Sequence, residues 1–262
     1  MIQPQQNQTI HHHEYINDGD ILRCSCGKTK LILKATKQEG IFSGIKSNGV
    51  NYSVRKDRHR YFFPNEWITF MNKLKPSKQL LFETLLQSGA RIDEALNIRP
   101  KDFDFERNTL TLFVTKSKAK KGQSKEMGGS KRGFVVSTEY SRKMRKYIKT
   151  KGMEENSDQI IFKVSRQSVW RLMRRNLIAA GIKDYYNFSL HNIRKTSGMW
   201  LKTLIPFSRE ITEGEICMRL GHDMNTFLKH YGSPSIFNDK DKTDMIKILG
   251  DVYGLSLLSR RI

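Results

Sequence analysis

Ser88-Gly89-Ala90-Arg91-Ile92-Asp93-Glu94-Ala95-Leu96 is the stretch around which the rest of the chain falls into place. Before it, Leu80, Leu81, Leu85 and Leu86 recur on one face of a helix that Ser77 is placed to cap. Gly89 stops that helix, because glycine accepts the left-handed backbone on which helices end. After it, Pro100 closes a second, short helix running from Arg91 to Ile98. A helix N-terminus presents N–H groups with no partner in the helix, so an arginine at this junction can share an anion with the backbone.

Working outward, the helical pattern begins at Phe62, with Pro64 near a helix start and the run Glu66-Trp67-Ile68-Thr69-Phe70-Met71. On the other side, Thr109 to Thr115 alternates and is rich in β-branched residues, as is Gly133 to Ser137, which predicts a hairpin. Its connector, Lys116 to Arg132, holds Gly122, Gly128, Gly129 and seven basic residues, a loop expected to be mobile when nothing is bound to it. Further helices are expected over Thr138 to Thr150, Ser165 to Ala180, Ser189 to Leu204, Glu213 to Leu220, Asn225 to Tyr231 and Asp239 to Leu249. Up to about Arg60 the chain is glycine-spotted and β-leaning, as in Val50-Asn51-Tyr52-Ser53-Val54. The expected fold class is therefore mainly α with a small β-hairpin or sheet, divided into a small β-leaning unit (1–60) and a helical domain (61–262).

The charge balance points to a polyanion. The 262 residues carry 47 Lys plus Arg against 26 Asp plus Glu, a net charge of +21 with a pI near 9.9, which is the footprint of a nucleic-acid partner. The excess is concentrated between Lys116 and Lys151, with 13 basic residues against two acids, Glu126 and Glu139. No stretch approaches the roughly 20 apolar residues of a membrane span, and Met1 to Asn7 are polar, so a cytoplasmic, DNA-associated protein is expected. Three cysteines (Cys24, Cys26, Cys217) give no disulfide framework. Cys24 and Cys26, with His11, His12 and His13 upstream, could supply only half of a zinc site; no second pair stands at ligand spacing, and no metal site is expected.

Within this framework the order Arg91, Lys116, His191, Arg194, His222, Tyr231 stands out, with Leu220-Gly221-His222 nine residues before the tyrosine. Two arginines, a lysine and two histidines can surround a phosphate with donors, and a tyrosine beside them can attack it. Taken singly, Arg91 reads as a surface residue and Tyr231, four positions after Phe227, as part of an apolar helix face. Taken together, six residue types in one order are far more specific.

The chain resembles the tyrosine recombinase (integrase) family. Ser88 to Leu96 looks like that family's first arginine motif with Glu94 at its acidic position; Leu190-His191-Asn192-Ile193-Arg194 is similar to its His-x-x-Arg box; Leu220-Gly221-His222 and Tyr231 are similar to its closing histidine and nucleophile. The resemblance covers roughly Phe62 to Tyr231 and implies the family's catalytic-domain fold. It implies strand cleavage by Tyr231, a 3′-phosphotyrosyl link, and ligation to a different strand, with no metal, ATP or other cofactor. Arg91 and Arg194 would neutralise the phosphate, His191 would serve the tyrosine as acid or base, and His222 would hold a phosphate oxygen. Glu94 would position its neighbours. Lys116 falls where the family's catalytic lysine lies, although the long connector leaves Lys118 and Lys120 as alternatives.

Lys118, Lys120, Lys121, Lys125, Lys131 and Arg132 on the connector, with Arg166, Arg171, Arg174 and Arg175 on the helix Ser165 to Ala180, are expected to contact DNA. The expected partner is double-stranded DNA at attachment or recombination sites, bound by four protomers on paired sites. Ile236, Phe237, Met245, Ile246 and Ile248 are candidates for docking onto a neighbouring protomer or for packing on their own domain. A type IB topoisomerase and a DNA-binding regulator without catalysis are the competing readings.

Overall fold

In the computed structural model, the described residues are five strands between residues 15 and 55, taken as backbone, together with residues 60–113, 131–208, 210–231 and 237–255, of which 229–231 are described as backbone alone. Two compact units, Met1–Arg58 and His59–Ile262, divide the chain. In the first, β1 (Tyr15–Asp18), β2 (Ile21–Cys24) and β3 (Thr29–Leu31) form an antiparallel sheet, and β4 (Ile41–Ile45) pairs with β5 (Asn51–Arg55). The histidine triplet, His11 to His13, and the residues between Cys24 and Thr29 lie outside the described ones.

The second unit begins with α1 (Pro64–Lys73) and α2 (Pro76–Ser88), both with proline in the first turn, where its missing N–H costs nothing. Pro76 moves the expected N-cap from Ser77 back by two residues, and Lys75 becomes the N-cap. α3 (Ile92–Leu96) follows with Arg91 as its N-cap. A strand with no signal in the sequence, β6 (Phe103–Asp104), joins β7 (Thr109–Phe113) and β8 (Lys131–Val135) in an antiparallel sheet of order β6-β7-β8. The remaining helices are α4 (Thr138–Thr150), α5 (Arg166–Ala179), α6 (Leu190–Thr203), α7 (Glu213–Leu220), α8 (Met224–Tyr231) and α9 (Asp239–Leu249).

Two helices are buried almost all round and set the frame. The second half of α2 is buried from Leu80 to Ser88 except Glu83, and α6 is buried at Leu190, Asn192 to Arg194 and Thr196 to Leu201. Such helices lie inside a domain rather than on its face. α2 packs on α6 and α4, while α6 packs on α7, α8 and α9. Phe62, Trp67, Phe70, Phe82, Phe188 and Trp200 fill one end, with ring centroids 4.4 to 6.5 Å apart. Arg60 closes that end: its guanidinium binds Asp184 at 2.8 Å and Glu66 at 3.0 Å and lies over Phe188.

On the sheet, Leu110 and Leu112 of β7 and Arg132 and Phe134 of β8 face inward in cross-strand register, Leu110 opposite Phe134 and Leu112 opposite Arg132. β8 thus starts two residues earlier than expected and takes Lys131 and Arg132 from the connector. The rest of the connector, residues 116–130, and the last two residues of the expected strand, 114 and 115, lie outside the described residues. α9 packs against α1 and α6, with Phe237, Met245 and Ile246 buried in the same unit. Of the two placements open for that segment, packing on its own domain is the one observed for these three residues; Ile248 is partly buried against the same core, and Ile236 lies outside the described residues.

Candidate active site

The site is built where the end of α2, the start of α3, β8, α6 and the end of α7 converge. Gly89 ends α2 at φ +58°, and a Cβ there would stand 2.7 Å from Leu220 Cδ2. Glycine is therefore required both by backbone and by the approach of α7. The turn delivers Arg91 to the N-cap of α3. Glu94, three residues on, accepts from the Arg91 backbone N–H at 2.8 Å and from Arg91 Nη1 at 2.8 Å, so one carboxylate fixes both ends of the residue. The Arg91 side chain keeps about a third of its surface exposed, whereas that of Glu94 is fully buried.

Arg132 reaches Glu94 from β8, its Nη2 hydrogen-bonded to Glu94 Oε2. Burial pushes the Glu94 carboxyl up, but the Arg91 N–H, the Arg132 charge and the Arg91 guanidinium outweigh it and hold the group below the usual glutamate value. Burial in turn lowers the Arg132 value, opposed by Glu94. A guanidinium keeps its proton regardless.

α6 opens on Ser189, whose N–H and hydroxyl both donate to Asn192 Oδ1, at 2.8 and 2.6 Å, while Asn192 Nδ2 donates to the Arg60 carbonyl. This anchors the first turn, which carries His191, exposed, and one turn later Arg194, 1% exposed. Arg194 Nη1 donates to the Gly89 carbonyl at 2.8 Å and Nη2 to the Leu220 carbonyl. One planar side chain therefore ties the Arg91 turn to the end of α7.

α7 ends at Gly221, φ +59°, with the His222 N–H bonded back to the Cys217 carbonyl at 3.0 Å. This closure lets His222, half-buried, leave the helix beside the Leu220 carbonyl. Asp223 then starts α8, accepting from the Thr226 N–H and hydroxyl at 2.8 and 2.7 Å, which holds its carboxyl below the usual range. Phe227, fully buried, anchors α8, and Tyr231 is the last residue of that helix, one turn beyond. Arg91, Glu94, Arg132, Arg194 and Leu220 are thus linked by direct hydrogen bonds. His191 and His222 flank Arg194 and Leu220 in sequence, and Tyr231 follows on a helix that packs on α6 and α7. Lys116, Lys118, Lys120, Lys121 and Lys125 and the Tyr231 side chain lie outside the described residues.

Residues 63–232, more than half of the chain, match the model of the phage integrase family. The chain belongs to that family, the tyrosine recombinases. No curated protein matches this family member. Among solved structures it is similar to XerA recombinase, at 18% identity and TM-score 0.50, over 72% of this chain and 64% of that one. It is also similar to XerH site-specific recombinase bound to difH substrate (15%, TM-score 0.50, 71% and 56% covered). A third is the Tn1549 transposon integrase in complex with circular intermediate DNA (16%, TM-score 0.50, 70% and 63% covered). At these identities the likeness is one of fold, and the chain spans less than two thirds of each of those lengths.

Of the arginines expected on DNA, this integrase-family chain exposes Arg166, Arg171 and Arg175 on α5, with Arg166 Nη1 3.4 Å from Asp93. Arg174 is half-buried, donating to the Tyr185 carbonyl at 2.6 Å and lying over the Tyr185 ring. Lys131 is exposed, over Phe113. Arg132 is instead buried in the Glu94 ion pair, because β8 alternates and Arg132 is in phase with inward-facing Phe134. Arg219 has no counterpart in the sequence reading. Fully buried, it binds the Val135 carbonyl at 2.9 Å and the Gln87 carbonyl, and stacks on Phe134 and Tyr253, so it joins β8 to α2 behind the site. Among the described residues no group of three or more His, Cys, Asp or Glu side chains is placed to hold a metal, and no helix is long and apolar enough to cross a membrane.

Proposed function

We propose that this protein is a site-specific DNA recombinase that cuts and rejoins strands through a 3′-phosphotyrosyl link on Tyr231. The observation that carries this reading is the pair of arginines held by fixed partners on opposite sides of the Gly89 turn, Arg91 by Glu94 and Arg194 by the Gly89 and Leu220 carbonyls, next to the turn that leads into the Tyr231 helix. A phosphodiester repels nucleophiles through its anionic oxygens, so the charge that builds in the pentavalent transition state must be met by positive groups already in place. Arg91, partly exposed, meets the phosphate directly. Arg194 contributes positive charge from beneath, where a low dielectric strengthens it.

Tyr231 attacks phosphorus and the 5′ oxygen departs. His191 takes the tyrosine proton, and His222 donates to a non-bridging oxygen. A connector lysine, Lys116 with Lys118 and Lys120 as alternatives, protonates the leaving 5′ oxygen. The phosphotyrosyl bond conserves the energy of the one it replaces, so the chemistry requires neither ATP nor a divalent cation. Attack by a 5′-hydroxyl from another strand then reverses the step and completes exchange. Exchange between two duplexes needs four cuts, hence four protomers on paired double-stranded sites. Residues 61–262 carry the chemistry, and the β-rich unit at 1–60 has three open roles: a DNA arm-binding module, a protein contact or a truncated clamp.

The test is incubation with supercoiled DNA in EDTA, an SDS stop, and detection of protein covalently bound to DNA. Wild type is expected to give the adduct and Tyr231→Phe to bind DNA without forming one. An adduct in the Phe variant would remove Tyr231 from the mechanism. Relaxed circles without exchange on paired sites would point to topoisomerase behaviour instead.

A further inference from the structure

Arg132 is charged, yet it faces inward on the same side as Phe134 and Val136, its side chain 8% exposed. A charge in that position is costly unless it is paired and hydrogen-bonded. Two partners meet it: Glu94 Oε2, and the Leu220 carbonyl, 3.4 Å from Nη1. Glu94 is the residue that fixes Arg91 by backbone and side chain. The Leu220 carbonyl also takes Arg194 and stands two residues before His222. A Cβ on Gly221 would lie 2.7 Å from Arg132 Nη1, so the guanidinium fills the space under that turn. The charged groups around it are Glu94 and Arg91 from α3, Arg219 from α7, and Arg194 from α6 through the shared carbonyl.

We propose that Arg132 is a positioning residue, acting through Glu94 on Arg91 and through the Leu220 carbonyl on the Gly221–His222 turn, and that it does not touch DNA. The inference rests on the reading of Arg91 and His222 as phosphate-binding groups. Arginines Arg91, Arg132, Arg194 and Arg219 crowd this region, and Glu94 is the carboxylate that Arg91 and Arg132 share. Without Arg132, burial of Glu94 is opposed by Arg91 alone, so its carboxyl titrates at higher pH. Once protonated it loses the charge that directs the Arg91 guanidinium. Protonation occurs on the low-pH side, so the loss is greatest in acid and is relieved as pH rises through the shifted Glu94 value.

The test compares wild type, Arg132→Met and Arg132→Lys. Carboxyl-carbon NMR with labelled glutamate is expected to show Glu94 titrating below the ordinary glutamate value in wild type and in Arg132→Lys, and at higher pH than in wild type in Arg132→Met. Single-turnover adduct formation at saturating DNA is expected to fall on the order of 10²-fold in Arg132→Met. Part of that loss should be recovered as pH rises, with DNA affinity within about twofold of wild type because no DNA contact is removed. Arg132→Lys, too short to keep both partners, is expected to lose rate without the new pH dependence. If Arg132→Met does not fold, the lysine variant carries the test through its rate at unchanged affinity.

An unmoved Glu94 titration in folded Arg132→Met, or a rate loss in either variant matched by an equal loss of DNA affinity, overturns the proposal. If Glu94 shifts but wild type forms no Tyr231 adduct, the phosphotyrosyl reading fails while the Arg132 hold on Glu94 stands.

Discussion

Arg194, the proposed phosphate-neutralising residue of α6, also ties two distant turns together with one side chain. Its fork joins carbonyls 105 positions before it and 26 after it in the chain, Gly89 and Leu220, a geometry that a lysine ammonium on a flexible stem does not reproduce. Arg194→Lys keeps the charge and loses the span. We expect adduct formation to fall by about 10²-fold or more. Stability should fall by about 1–3 kcal/mol as one buried carbonyl is left without its donor. Rapid-quench cleavage and calorimetric melting measure the two effects. A lysine variant that cleaves at the wild-type rate would show that charge alone is sufficient. The sequence marked Arg194 as a phosphate ligand but carried no sign that it also holds the backbone of both neighbouring turns.

At the scale of elements, the turn between α7 and α8 decides where His222 and the Tyr231 helix go. Gly221 combines a left-handed backbone with a close approach to Arg132, whereas Gly181, after α5, has φ +71° and nothing within 4 Å of where a Cβ would stand. Gly221→Ala is therefore expected to cost about 1–2 kcal/mol from the backbone, with a further cost from displacing Arg132, and to slow adduct formation. Gly181→Ala should carry the backbone cost alone and cleave normally. Denaturant unfolding beside single-turnover cleavage separates them, and equal cleavage in the two variants would deny the turn a positioning role. Helices were legible here from periodicity and from Gly and Pro, but the cap of α2 fell on Lys75 rather than Ser77, and α3 ended at Leu96 rather than Ile98 because Asn97 already leaves helical geometry. β6 was not, because two residues are too few to show alternation, and β8 was read short because its first two residues looked like connector.

For the molecule as a whole, a charge of +21 should make DNA affinity fall steeply with salt. With six or more phosphate contacts from the connector lysines and the exposed arginines of α5, affinity is expected to drop on the order of 10³-fold between about 50 and 200 mM salt. Replacing Lys118, Lys120, Lys121 and Lys125 with glutamine should flatten that slope. Fluorescence anisotropy across a salt series checks this, and a flat wild-type dependence would contradict a phosphate-dominated interface. The C-terminal segment bears on assembly: Met245, Ile246 and Leu249 are buried against the same unit, each side chain adding about 1.5–3 kcal/mol by burial. Phe237 meets the Phe63 ring at 5.4 Å, so the segment closes the aromatic end of the domain.

The sequence by itself determined which segments are helices, most of their ends to within a residue or two, and which residues stand in the order that marks the family, because periodicity and Gly and Pro punctuation are local properties of the chain. Only the tertiary structure decided which positive charges stay exposed and which face inward. Arg60, Arg132, Arg194 and Arg219 are all buried, each by partners from distant segments: Asp184 for Arg60, Glu94 for Arg132, the Gly89 carbonyl for Arg194 and the Gln87 carbonyl for Arg219. For Arg132 a signal was present, since it alternates in phase with Phe134 and Val136, but composition favoured a solvated loop. A charged side chain is buried only when its counter-ion or carbonyl is brought to it, and that meeting is made by packing between elements, which no single stretch of sequence records.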